Sequence, residues 1–149
     1  MLLKKNSLLL TLKFAEATGQ GPEQYYSWSD PKYKDVELVI LVNEYSASSS
    51  EIFTGVMKDQ GRATVVGTTT FGKGIIQRLY TFEDGSGVKY TMASYFTPSG
   101  VEIHDNGIVP DVVEPIDPQY QYYSPAVIPE GCDNQLNKAL EVIKGMINE

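Results

Sequence analysis

A near-continuous apolar run, Val36-Glu37-Leu38-Val39-Ile40-Leu41-Val42, ends at Asn43-Glu44-Tyr45 and leads straight into Ser46-Ala47-Ser48-Ser49-Ser50. Such a run predicts a central strand covered on both faces, as in sheets with helices packed above and below. From Glu51 to Gln60 the apolar residues take helical spacing. Ile52, Phe53, Val56 and Met57 share one face, and Gly61 is a natural stop. Ala63 to Val66 is a second short strand. The chain therefore contains a strand–helix–strand unit, and its fold class is α/β.

The remaining segments attach to that unit. Leu8 to Phe14 predicts a buried strand, and Thr18 to Asp35 a polar stretch broken by Gly19, Gly21, Pro22 and Pro31. Ile75 to Phe82 and Val88 to Tyr95 alternate around Asp84-Gly85-Ser86-Gly87, which predicts an appended β-hairpin. Pro110 to Pro129 holds five prolines and is expected to wrap the surface. Asn134 to Ile147 predicts a closing amphipathic helix, with Leu136, Leu140, Ile143 and Ile147 facing inward. The start of the chain, with Lys4, Lys5 and Leu8 to Leu10, loosely mimics a signal peptide. Thr11 and Lys13 break that apolar run too early for a signal core of about 7–15 residues.

Composition narrows the function classes. An apolar share of 42% fits a globular domain and excludes a disordered chain. A net charge of −7 would repel phosphate backbones, so nucleic acid is not an expected partner. The single cysteine, Cys132, rules out an internal disulfide, and the single histidine, His104, cannot build a zinc site alone. Any His-based triad would have to use His104.

Two segments carry chemistry. Ser48 with Glu51 fits the capping box S-x-x-E, which by itself describes a helix N-cap. The same position puts a serine beside unpaired backbone N–H groups and the positive end of the helix dipole, where donors can hold an oxyanion. A serine nucleophile needs a base. Gly67-Thr68-Thr69-Thr70-Phe71-Gly72-Lys73-Gly74 nearly matches a nucleotide-binding P-loop, but Gly74 stands where a magnesium-ligating hydroxyl belongs, and a strand follows instead of a helix. The alternative is a glycine-flanked lysine delivered into a pocket. Buried between Phe71 and Ile75, Lys73 would shed ammonium hydration and could then take a serine proton. An ordinary exposed loop lysine is the plain competing description.

These residues bring a family into view. Asn43 to Phe53, Lys58-Asp59-Gln60-Gly61-Arg62-Ala63, Gly67 to Gly74 with Gln77, Tyr95-Phe96-Thr97-Pro98-Ser99-Gly100 and Gly107-Ile108-Val109-Pro110-Asp111 stand in one order. Together they resemble the carboxyl-terminal processing, or tail-specific, proteases of the S41 serine peptidases. The resemblance covers roughly residues 36 to 147. It implies a ClpP/crotonase-like fold, with Ser48 as nucleophile and Lys73, twenty-five positions later, as general base. It also implies that Gln77 positions the lysine and that the Ser49 N–H is an oxyanion donor. Four positions of separation would place Gln77 and Lys73 on the same side of a strand. Ser49 stands where the family usually has alanine. Asp59 matches a position sometimes given a catalytic role. However, eleven helical residues from Ser48 amount to about 16 Å, so pairing with Arg62 or Lys58 is expected instead.

By the same resemblance, residues 1–149 are expected to be the C-terminal part of the catalytic domain. A PDZ domain and an upstream Asp-Leu-Arg-x-Asn-x-Gly-Gly segment that gives the second oxyanion donor would lie outside them. The implied substrates are proteins with unstructured, apolar C-termini, cleaved without metal or nucleotide. The implied location is outside the cytoplasm or at a membrane. An exposed core edge is expected to favour pairing between chains. The alternatives are a non-catalytic fragment or scaffold and, more remotely, nucleotide binding at Gly67 to Lys73.

Overall fold

The structure, a computed structural model, describes residues 2–148. It contains two sheets. Strands β1 (Leu8–Phe14), β2 (Glu23–Tyr26), β5 (Ile75–Thr81) and β6 (Gly87–Phe96) form an antiparallel sheet in the order β2-β1-β6-β5. Strands β3 (Val39–Val42), β4 (Thr64–Gly67) and β7 (Val112–Val113) form a parallel sheet in the order β3-β4-β7. Helix α1 (Ser49–Asp59) is the crossover between β3 and β4, and α2 (Asn134–Asn148) closes the chain. The α/β class, the strand–helix–strand unit and the appended hairpin are all present. No helix among the described residues is long and apolar enough to cross a membrane.

The core explains where α1 sits. Leu3, Val56 and Met57 are buried together, with Leu2, Leu9, Leu38, Ile40, Ile52 and Ala63 packed around them. The helix therefore touches β1 of one sheet and β4 of the other. Burying each such aliphatic side chain contributes about 1.5–3 kcal/mol, so the helix is firmly held at the junction.

Three expectations change. The doubly covered strand is β4, whose neighbours Val65 and Val66 are both fully buried. Among the described residues β3 lies at the sheet edge, and Leu41 is exposed. An apolar run alone does not tell a centre from an edge, because both can have covered faces. Second, the turn-rich stretch contains β2, and the proline-rich stretch contains β7. All four β2 side chains are exposed, so no apolar alternation marks it. The two residues of β7 are pinned by Asp111, whose Oδ2 accepts the Val65 N–H at 2.9 Å and whose own N–H donates to Val65 O at 2.8 Å. Third, α2 packs through Ala139, Val142, Ile143 and Met146, while Leu136, Leu140 and Ile147 are exposed. The inward face is rotated from the leucine stripe because it must fit β3 and β4.

Candidate active site

After β3 the chain reverses through local side-chain bonds. Asn43 N–H donates to Ser46 Oγ at 3.1 Å, and Tyr45 N–H donates to Asn43 Oδ1 at 3.0 Å. Ser48 is then the N-cap of α1, as its capping-box position predicts, with φ 58° and ψ −117°. A non-glycine residue in that region costs about 1–3 kcal/mol and persists only where its surroundings impose it. Ser46, Ser49 and Ser50 are not held this way. Ser49 opens the helix and is exposed. Among the described residues nothing accepts its backbone N–H, as expected for a first-turn donor.

Glu51 surrounds itself with donors. Its side chain is fully buried. Oε2 accepts the Ser48 N–H at 2.8 Å and the Lys73 N–H at 2.8 Å. Oε1 accepts the Gly72 N–H at 2.6 Å and the Thr70 hydroxyl at 2.6 Å. The lysine loop is also tied directly to the serine turn, since Phe71 N–H donates to Ser46 O at 2.9 Å. Thus one carboxylate oxygen joins the backbones of Ser48 and Lys73. The capping box identifies only the Ser48 half of this cluster in the sequence. Thr70 carried no signal at all beyond its place in the loop.

A second segment clamps the same loop from the other side. Asp105 N–H donates to Gly72 O at 3.0 Å, and His104 Nδ1 lies 3.2 Å from that oxygen, so Nδ1 is the donor nitrogen there. Ile108 N–H donates to Thr70 Oγ1 at 2.7 Å. Close approach accounts for the glycines: Gly72 has φ 86°, and a Cβ on Gly74 would run into the His104 backbone nitrogen. The sole histidine therefore supports the lysine loop from its backbone side.

Lys73 and Gln77 depart from the sequence picture in their surroundings. Lys73 is exposed rather than buried between Phe71 and Ile75, and Phe71 itself is 65% exposed. Lys73 precedes β5, and the strand has a register irregularity between Ile76 and Gln77. The extra residue of that irregularity, Met92, lies on β6, so β5 itself alternates normally; Lys73 lies before the strand, and so the four-residue spacing does not by itself put both side chains on one face. Gln77 is exposed. As the strand context predicted, the Gly67 to Gly74 loop leads into β5 and not into a helix, which removes the setting a P-loop needs.

Asp59 lies at the far end of α1, as expected, but with other partners. Its Oδ2 accepts the Ser99 N–H at 2.8 Å and so holds the Thr97 to Gly100 turn. Lys58 instead pairs with Asp111 Oδ1 at 2.8 Å, and Arg62 donates to the carbonyls of Leu2, Tyr33 and Val36. Asp59→Ala should therefore lower stability by about 1 kcal/mol, a typical hydrogen-bond loss, and leave chemistry nearly unchanged. A thermal melt and an initial-rate assay check this together. An unchanged melting temperature with lost turnover would overturn the structural role.

Beside Ser49 lies an open apolar cavity of about 460 Å³, lined by Leu9, Trp28, Ile52, Phe53 and Met57 among others. A groove of about 390 Å³ runs between β3 and α1 and shares Ser49 and Phe53 with it.

Comparison with known proteins identifies the family. A "Probable CtpA-like serine protease" of Staphylococcus haemolyticus is 53% identical over 96 residues, covering 64% of this chain and 19% of that protein. A namesake from Staphylococcus aureus is 54% identical over 89 residues, covering 59% of this chain and 18% of that protein. The chain thus spans about a fifth of the length of these curated relatives. Among solved structures, a photosystem II D1 C-terminal processing protease superposes with a TM-score of 0.69 at 37% identity, over 77% of this chain and 29% of that one. Residues 6–114, which carry β1 to β7 as well as Ser48, Glu51 and Lys73, match peptidase family S41, and the chain belongs to that family.

Proposed function

We propose that this segment carries the nucleophile and base of a serine endopeptidase. The observation that carries the reading is Ser48, held at φ 58° on the N-terminus of α1 with its N–H and that of Lys73 on one buried carboxylate oxygen. Ser48 Oγ attacks the substrate carbonyl while Lys73 Nζ takes its proton. The Ser49 N–H donates to the developing oxyanion. Lys73 then returns the proton to the leaving amine, and water hydrolyses the acyl-enzyme. Gln77 orients Lys73 in this scheme. Neither metal nor nucleotide takes part in the chemistry.

The substrates are proteins with unstructured, apolar C-termini. Support comes from the apolar cavity beside Ser49 and from relatives whose names denote CtpA-like proteases and a C-terminal processing protease. The enzyme's place of action is taken to be outside the cytoplasm or at a membrane of a bacterium, as the family resemblance implies. Pairing between two chains along β3 is favoured by the free edge that β3 has among the described residues and by exposed Leu41. In an active enzyme containing this segment, an unfolded protein ending in apolar residues should be cleaved at least about tenfold faster than one ending in charges, the worth of one or two buried methylenes. Ser48→Ala serves as the blank. Equal rates for both tails would contradict the substrate class, and turnover by Ser48→Ala would contradict the nucleophile.

A further inference from the structure

Resting on the Ser48/Lys73 assignment above, we propose that Glu51 is a positioning residue: its buried carboxylate sets the backbone of the nucleophile against the backbone of the base. A glutamate that only caps a helix needs one contact, to the N-cap N–H, and can sit in solvent. Glu51 is fully buried and makes three further contacts, to Thr70, Gly72 and Lys73, which lie 19, 21 and 22 residues away in the chain. Helix capping explains none of these.

All four partners meet the Glu51 carboxylate as donors. Three are backbone N–H groups, which can only donate. The fourth is the Thr70 hydroxyl, whose oxygen already accepts the Ile108 N–H, leaving its proton for Glu51. The amide NH₂ of a glutamine would therefore face a backbone N–H whichever way it turned. Aspartate would fall a methylene short of the lysine loop. The Glu51 carboxylate bonds the backbones of Ser48 and Lys73 and not their reacting side-chain atoms. It acts through Ser48 and Lys73, by holding Ser48 in its strained conformation and by fixing where the Lys73 side chain departs from its loop. Displacements of about 1 Å at a reacting pair cost about 10²-fold in rate.

The test uses an active enzyme containing this segment, with Glu51→Gln, Glu51→Asp and Thr70→Val beside Ser48→Ala. Glu51→Gln should keep its melting transition and lose at least about 100-fold in kcat, with KM within about threefold, because transition-state geometry is lost and uniform binding is not. Thr70→Val, which keeps the carboxylate and loses one donor, should fall between Glu51→Gln and the parent. A folded Glu51→Gln enzyme with kcat within about threefold of the parent overturns the inference alone. Turnover by Ser48→Ala overturns the dyad and this inference with it. If Glu51→Gln does not fold, amide hydrogen exchange of the parent decides: Ser48 and Lys73 N–H groups protected like core amides support the role, and exchange as fast as exposed loop amides overturns it.

Discussion

Exchanging Lys73 for arginine in an active enzyme containing this segment is expected to abolish peptide hydrolysis while the melting transition is retained. Lys73 is exposed, and only its backbone N–H is tied to Glu51, so a longer side chain meets no packed wall. Arginine keeps the positive charge but stays protonated, so it cannot take the Ser48 proton. A positioned general base contributes about 10²–10⁴-fold, and loss of at least that size should appear in kcat. Lys73→Ala should be as inactive as Lys73→Arg, since neither supplies a base. Steady-state rates with an unfolded protein substrate check both variants. An active Lys73→Arg enzyme would show that the lysine serves as a cation and not as a base.

The 149-residue chain by itself should hydrolyse peptide bonds at least about 10²–10³-fold more slowly than a full-length relative, the worth of one oxyanion donor. Among the described residues, the Ser49 N–H is the donor that α1 places next to Ser48, and Ser49, Lys73, Gln77 and Phe71 are all exposed. Water around the reacting groups weakens each electrostatic contact that would stabilise the transition state. The two effects act on the same step and compound. Hydrolysis of an unfolded, apolar-tailed protein by the isolated chain, with Ser48→Ala as the blank, gives the answer. Turnover comparable to a full-length relative would refute this expectation.

Much of the site was legible because local chemistry marks it. Ser48 and Glu51 announce a helix start through the capping box, and the glycines around Lys73 announce a close backbone approach. Both hold in the structure, where Ser48 caps α1 and Gly74 lies against His104. The long-range half of the same cluster was not legible. Nothing in the spacing of Glu51 and Thr70 shows that they meet, because that contact depends on how α1 packs between the sheets. Strand position was illegible for a similar reason. Val36 to Val42 reads as a covered central strand and Ala63 to Val66 only as a short one, yet among the described residues the pairing partners make β4 central and β3 an edge. The leucine stripe of α2 misled because Leu136 and Leu140 obey helical periodicity yet point away from the sheet, where Ala139 allows closer approach. Asp59 and its neighbours were misassigned in partner, since a backbone N–H such as that of Ser99 leaves no trace in sequence.

The central claim is that Ser48, activated by Lys73, is the nucleophile. Labelling an active enzyme containing this segment with a serine-directed phosphonate, then mapping the adduct by peptide mass spectrometry, tests it directly. The serines of the turn, Ser46, Ser48, Ser49 and Ser50, lie within five residues but differ in backbone geometry, and only Ser48 has a positive φ. The account predicts one adduct, on Ser48, whose formation is lost in Lys73→Ala. An adduct on Ser46, Ser49 or Ser50, or labelling of Ser48 that persists unchanged in Lys73→Ala, would contradict it.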